Sequence, residues 1–285
     1  MKYIENQRFG EERALYNSDG IALKGCRFEG EEDGESALKE SQGVILEDCF
    51  MDLRYPLWHN QNLKMVRTTM TPNCRAALWY DDEAEITDSN LLGIKALREC
   101  GNIQIKDCRI VSPEFGWRCR NVSVADTEIN GEYVFFESEN LCIENMTFQG
   151  KYSFQYVKTM EIKKSVLKTK DAFWHSHNVI VYDSTLEGEY LAWYSENLTL
   201  VRCHIKGTQP FCYCKNLKLV DCTMEDTDLS FENSSVEAKI IGNIVSIKNP
   251  RSGHITADSC DCVIIEDSKY PVSYTHLRAH ETCAD

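Results

Sequence analysis

A register of 19 residues runs through most of this chain and leaves it few folds to adopt. Written from an anchor residue, "NIQIKDCRI" begins at Asn102, "NVSVADTEI" at Asn121, "NLCIENMTF" at Asn140 and "TMEIKKSVL" at Thr159. "NVIVYDSTL" follows at Asn178, "NLTLVRCHI" at Asn197 and "NLKLVDCTM" at Asn216, each step again 19 residues. Earlier copies start at Gly20, Gly43, Asn62 and Glu83, a degenerate one at Ser235, and a last one, "CVIIEDSKY", at Cys262. A fixed period of this size is the mark of a solenoid, in which each unit buries its apolar face only against its neighbours.

Inside a copy, the residues one and three after the anchor are apolar: Ile103 and Ile105, Val122 and Val124, Leu198 and Leu200. A second alternating pair follows at six and eight, as in Cys108 and Ile110 or Cys203 and Ile205. Period two predicts a short half-buried strand for each pair. The polar residue between them, Asp107, Asp126, Asn145, Asp183 or Asp221, suits a turn. The unit is too short for a strand–helix–strand element, and it lacks the leucine spacing of a leucine-rich repeat. The expected fold is therefore all-β, a single-stranded, right-handed parallel β-helix of about twelve coils, right-handed by the general rule for parallel crossovers. Residues 1–19 would cap it, 20–270 would form the helix, and 271–285 would lie outside it. The recurring Asn is expected to bond its own backbone and the next coil as an amide ladder.

Composition narrows function mainly by exclusion. A net charge of −14 over 285 residues argues against nucleic acid, whose phosphates call for a basic surface. No apolar run reaches the ~20 residues of a membrane span. The opening "MKYIENQRFGEERALY" has no apolar signal core, so a cytoplasmic protein is expected. The 14 cysteines include no C-x-x-C pair, only Cys212-x-Cys214 and Cys260-x-Cys262. They predict reduced, buried thiols and no zinc site or iron–sulfur cluster. His175-x-His177 would split its rings between the outer face and a corner, so neither a metal nor a cofactor is expected.

All five tryptophans, Trp58, Trp79, Trp117, Trp174 and Trp193, stand four residues before an anchor, on what reads as a third strand. Strand parity sorts that segment into two faces. The tryptophan face carries only Asp81 and Arg98 as formal charges. The other face, three, five and seven residues before the anchor, carries many. Ionised groups are costly to bury without partners, so parity predicts tryptophans inward and the charged face outward. That outward face would present Tyr80, Phe135, Phe154, Tyr156, Phe173, Tyr194 and Tyr213 as a contiguous aromatic patch, which marks a contact surface.

Two functions fit such a patch: a groove that binds or processes an oligosaccharide, or a non-catalytic scaffold whose face meets a protein or a second copy of the chain. If the face is an enzyme's, Glu99, Arg118, Glu137 and His175 are its candidate catalytic residues. Glu99 and Glu137 would lie two rungs apart, ~9–10 Å at the backbone. Inverting glycosidases hold their carboxyls ~6.5–9.5 Å apart, and a lyase would use Arg118 beside a uronate. The competing expectation is an inert salt-bridge ladder.

Segments such as "FGEERALY", "LRYPLWH", "CRAALWYDD", "GIKALREC", "GEYLAWYSENLTL" and "GTQPFCYCKNL" resemble a bacterial family of uncharacterised proteins with a pectate-lyase-like right-handed β-helix, over residues 3 to 270. The resemblance implies the fold and no established activity. Some members carry a hydrogenase label, which the cysteine pattern here does not support. The stretch "VSYTHLRAHETCAD" from Val272 abandons the repeat. It resembles a foreign tail recurring on genes assembled from environmental DNA and is expected to be loosely attached.

Overall fold

A computed structural model describes residues 1–30, 34–268 and 270. The expected tail therefore lies outside the described residues. All regular structure among them is strand, wound as a parallel β-solenoid of about 14 turns where about twelve were expected. Contacts group the chain into two compact units, Met1–Thr147 and Phe148–Asp285.

In the first unit, one side of the solenoid is built from strands such as Gln61–Val66, Asp82–Thr87, Gly101–Lys106 and Arg120–Ala125. Each pairs in parallel with the next, and the register stacks Ile86 on Ile105 and Ile103 on Val122. Those residues are buried while Glu85, Gln104 and Ser123 between them are exposed, as the alternation predicted. The N-terminal strand Lys2–Glu5 joins this side through Ile21–Lys24. A second side carries shorter strands, among them Asn90–Leu91 and Arg109–Val111.

The second unit repeats the arrangement with Lys158–Lys163, His177–Tyr182 and Glu196–Val201 on the first side, and Val166–Lys170, Thr185–Glu187 and His204–Lys206 on the second. Its last coils depart from the pattern. Ser252–Thr256 supplies the final first-side strand, against Ser235–Lys239. The copy expected from Cys262 falls instead within Ser259–Ile264, which pairs with Asn243–Lys248 in a separate sheet.

The corners explain the anchor. Asn102, Asn121, Asn140, Asn178, Asn197 and Asn216 all adopt left-handed backbone, with φ between 52° and 57°. Asn tolerates that region better than other residues with a Cβ, and Gly20 and Gly43 do so more easily still. The amides then link coils: Asn121 Nδ2 donates to Asn102 Oδ1 at 2.9 Å, and Asn216 Nδ2 to Asn197 Oδ1 at 3.0 Å.

The third side corrects the parity expectation. In the first unit, two-residue strands occur there at Leu57–Trp58, Leu78–Trp79 and Leu97–Arg98. Elsewhere the chain runs through tight turns in which every second residue is left-handed: φ is 53° to 62° at Tyr152, Phe154, Tyr156, Asp171, Phe173 and His175. Side chains along such a path do not alternate as in a strand. They point two in and two out: Val134 and Phe135 are buried, Phe136 and Glu137 face outward, and Ser138 is buried again. The column five residues before the anchor is therefore core, and the tryptophans lie half-buried at the surface.

Candidate functional site

Phe135, Phe154 and Phe173 are 0–1% exposed, so the aromatic patch loses its three phenylalanines to the core. Phe154 and Phe173 stack at 5.4 Å, and Phe135 meets Phe115 edge-on at 5.6 Å. Gly116 holds the coil before Phe135 open, since a Cβ there would stand 2.4 Å from that ring. Phe231, four residues before Ser235 as the tryptophans are before their anchors, stacks on Phe211 at 5.9 Å because the left-handed positions of its coil, Leu229, Phe231 and Asn233, come one residue late.

The third side of the first unit carries two surface ladders. Four residues before the anchor, Trp58 and Trp79 stack at 5.1 Å and 1°. The Arg98 guanidinium continues the stack, 5.0 Å from the Trp79 ring and 5.0 Å from Trp117. A planar cation between two indoles replaces the missing ring and is attracted by both π faces. One residue further along, His59 and Tyr80 stack at 4.8 Å. Glu99, Arg118 and Glu137 occupy the next rungs. Arg118 Nε reaches Glu137 Oε2 at 2.8 Å, and its Nη1 lies 3.9 Å from Glu99 Oε1. The hydrogen bond to Glu137 raises the Arg118 pKa above its ordinary value.

Chemically this is a salt-bridge ladder. A general acid needs a carboxyl sheltered from water and kept protonated. Here both carboxylates face solvent and are held in ion pairs, Glu137 by Arg118 and Glu99 by both Arg118 and Arg98, whose Nε lies 3.7 Å from Glu99 Oε1.

The second unit carries the remaining predicted residues. Tyr156 and His175 stack at 4.9 Å, His175 and Tyr194 at 5.0 Å, and Tyr194 and Tyr213 at 4.8 Å, all within 9° of parallel. Tyr156 and Tyr194 are each 44% exposed. Burial between its neighbours is the main cause lowering the His175 pKa, and His177 adds to it. Tyr213 shifts upward, first through desolvation. Because each ring covers the next, the ladder offers ring edges, phenol hydroxyls and imidazole nitrogens to solvent rather than open aromatic faces. Beside it, Trp174 and Trp193 stack at 5.4 Å. Trp193 also meets Tyr190 and Tyr213 edge-on.

Every tryptophan N–H donates to a backbone carbonyl of the following coil: Trp58 to Ala76, Trp79 to Lys95, Trp117 to Tyr133, Trp174 to Tyr190 and Trp193 to Gln209, at 2.6–2.9 Å. Gln155, in the same column, donates to Asp171 at 2.9 Å. The five tryptophans and Gln155 thus place an N–H at the same point of the column, where Phe136 and Cys212 have none. That signal was present in the sequence as the Trp, Arg and Gln of one column. The structure brings Glu99, Arg118 and Glu137 together, and separately Tyr156, His175, Tyr194 and Tyr213. Among the described residues, no cluster of His, Cys, Asp and Glu could hold a metal ion.

A family model described as a protein of unknown function, DUF3737, matches residues 2–278. No curated protein matches the sequence. Among solved structures, tailspike protein 3 of bacteriophage CBA120 is similar at 10% identity and a TM-score of 0.33, over 94% of this chain and 55% of that one. This chain therefore spans about half the tailspike's length. The A-module of a mannuronan C-5 epimerase from Azotobacter vinelandii is similar at 10% identity and a TM-score of 0.31, over 99% of this chain and 90% of that one.

Proposed function

Starting from a chain that belongs to the DUF3737 family of proteins of unknown function, we propose a non-catalytic binding solenoid whose Tyr156–His175–Tyr194–Tyr213 ladder holds an extended oligosaccharide. The observation that carries this reading is the stacking itself, three successive steps of 4.8–5.0 Å on an exposed strip. Rings already held by one another lose little freedom on binding, which removes much of the usual cost of ordering a contact surface. Each rung ends in a group able to donate and accept hydrogen bonds, so a hydroxyl-rich chain lying along the ladder meets a partner at every step. Binding is favoured over processing because the candidate acid–base groups neutralise one another as ion pairs.

The test is a glycan array probed with the wild-type chain and with Tyr194→Ala. Binding that the substitution abolishes supports the reading. A wild-type chain that binds no glycan sinks it.

A second reading, a protein partner or a second copy on the same strip, is favoured by the tyrosine content of the ladder, since exposed Tyr is enriched at protein–protein hot spots. Sedimentation of the wild-type chain and of Tyr194→Ala distinguishes it: a dimer dissociated by the substitution supports self-association.

A further inference from the structure

Two residues before the anchors runs a buried column whose side chains repeat one pair of tasks. Ser138 Oγ accepts the Cys119 N–H at 3.0 Å and donates to the Gly116 carbonyl at 2.5 Å. Cys100 Sγ accepts the Asp81 N–H at 3.4 Å and donates to the Leu78 carbonyl at 3.4 Å. In the second unit, Ser195 donates to Phe173, and Ser234, one residue before its anchor because that coil runs one residue late, accepts from Cys214 and donates to Phe211. At Cys100, Ser138 and Ser234 a single atom accepts from one backbone N–H and donates to a carbonyl of the preceding coil, a task that Val157 in the same column does not perform.

Asp81 occupies this column in the first unit and is 1% exposed. Its Oδ1 accepts the Asn60 N–H at 2.8 Å, but its buried Oδ2 has no partner. An ionised carboxylate has no hydrogen to give, and an unpaired buried charge is expensive. The same two coils contribute Leu57, Leu63, Leu78, Ala84 and Ile86 to the core, all apolar. From the coil above, the titratable group facing Asp81 is the Cys100 thiol, which disfavours a neighbouring anion. From the coil below it meets the backbone N–H of Asn60, a residue with no titratable side chain. The Arg98 guanidinium is held between two indoles, and His59, Tyr80 and Asp82 lie towards solvent.

We propose that Asp81 is held in the folded protein as the neutral carboxylic acid, its Oδ2 hydrogen donated to the Leu57 carbonyl of the preceding coil, and that this proton makes the first unit alkali-sensitive. Leu57 stands where Leu78 and Gly116 stand for Cys100 and Ser138, five residues before the preceding anchor. Burial drives the Asp81 pKa well above the carboxylate range. A raised folded-state pKa contributes stability that is complete below the unfolded value and is lost as pH rises towards the folded one. Ionisation would also reach the surface, because Asp81 directly follows Trp79 and Tyr80, which stack on Trp58 and His59.

The test combines infrared spectroscopy with denaturation of the full chain across pH 5 to 9. Wild type should show a protonated-carboxyl carbonyl band at pH 7 that survives Asp171→Asn, a control for the other buried aspartate, and disappears in Asp81→Asn. Its unfolding midpoint should fall as pH rises, whereas Asp81→Ser, which restores the column's hydroxyl, should lose that slope and exceed wild type at pH 9. A band missing from Asp171→Asn overturns the assignment, as does an alkaline decline equally steep in Asp81→Ser. If the Asp81 variants do not fold, the band in wild type and Asp171→Asn decides alone.

Discussion

The indole N–H of Trp193 donates to the backbone carbonyl of Gln209, 16 residues further on, at 2.9 Å. The bond runs from one coil to the next, and its stacking on Trp174 aligns the ring to make it. Replacing Trp193 by Phe keeps an aromatic plate and deletes the donor, at a cost of about 1 kcal/mol. Trp193→Gln should retain the bond, as Gln155 does naturally, and lose the stacking. Urea midpoints of the two variants separate these contributions. Equal stability of Trp193→Phe and wild type would show that the bond adds nothing.

Burial and exposure predict opposite outcomes for columns two residues apart. Phe173→Ala empties a core site under Phe154 and should cost about 3–5 kcal/mol in chemical denaturation. Tyr194→Ala, one coil on and 44% exposed, should unfold within about 1 kcal/mol of wild type. A core-sized loss at Tyr194 would mean that the ladder is structural rather than a contact surface.

Thr159 holds the anchor conformation at φ 62°, where a β-branched residue is strained. Thr159→Asn removes that strain and places an amide beside Asn178. It should stabilise the chain by about 1 kcal/mol, read as a higher urea midpoint. A lower midpoint would contradict this account of the anchor.

The lowered pKa of His175 fixes the sign of an acid response. Above the unfolded histidine value, about 6.5, both states hold the neutral ring and nothing is lost. As pH falls from there towards the folded value, the unfolded state takes up the proton first and stability declines. His175→Phe keeps a stackable ring without the titration, so its midpoint should depend less on pH between 7 and 5. An identical pH profile in the variant would exclude His175 as the source.

Glu99→Gln and Glu137→Gln should each change stability by no more than about 1 kcal/mol, since exposed ion pairs contribute little. Glycan binding by the Tyr–His ladder should be unaltered in both. Hydrolase or lyase activity in the wild-type chain that either substitution removes would restore these residues to a catalytic role.

Much of this was legible in the residues. The period, the alternating pairs such as Ile103 and Ile105, and the turn-forming Asp and Asn corners specify stacked parallel strands, because period-two burial is local and repeats unchanged. The pairing of Arg118 with its neighbouring glutamates followed from register alone. The third side escapes parity because parity assumes extended backbone. Alternate left-handed residues there put consecutive side chains on one face, so Phe135, Phe154 and Phe173 enter the core beside the residues that precede them. A clue was available in the tryptophan column. Its five tryptophans combine an apolar body with a polar tip, the indole N–H that Trp193 donates to the next coil, which suits a half-buried site better than a dry one.

By itself, then, the sequence determined a parallel solenoid, its register and its corners, since each depends on contacts between residues one repeat apart. The direction of every side chain on the third side was decided only in the tertiary structure. There the chain's path is set by hydrogen bonds to the coils on either side, such as Tyr156 N to Trp174 O and Phe173 N to Ser153 O. Those bonds, rather than any local pattern, bury the phenylalanines and leave His175 between two exposed tyrosines.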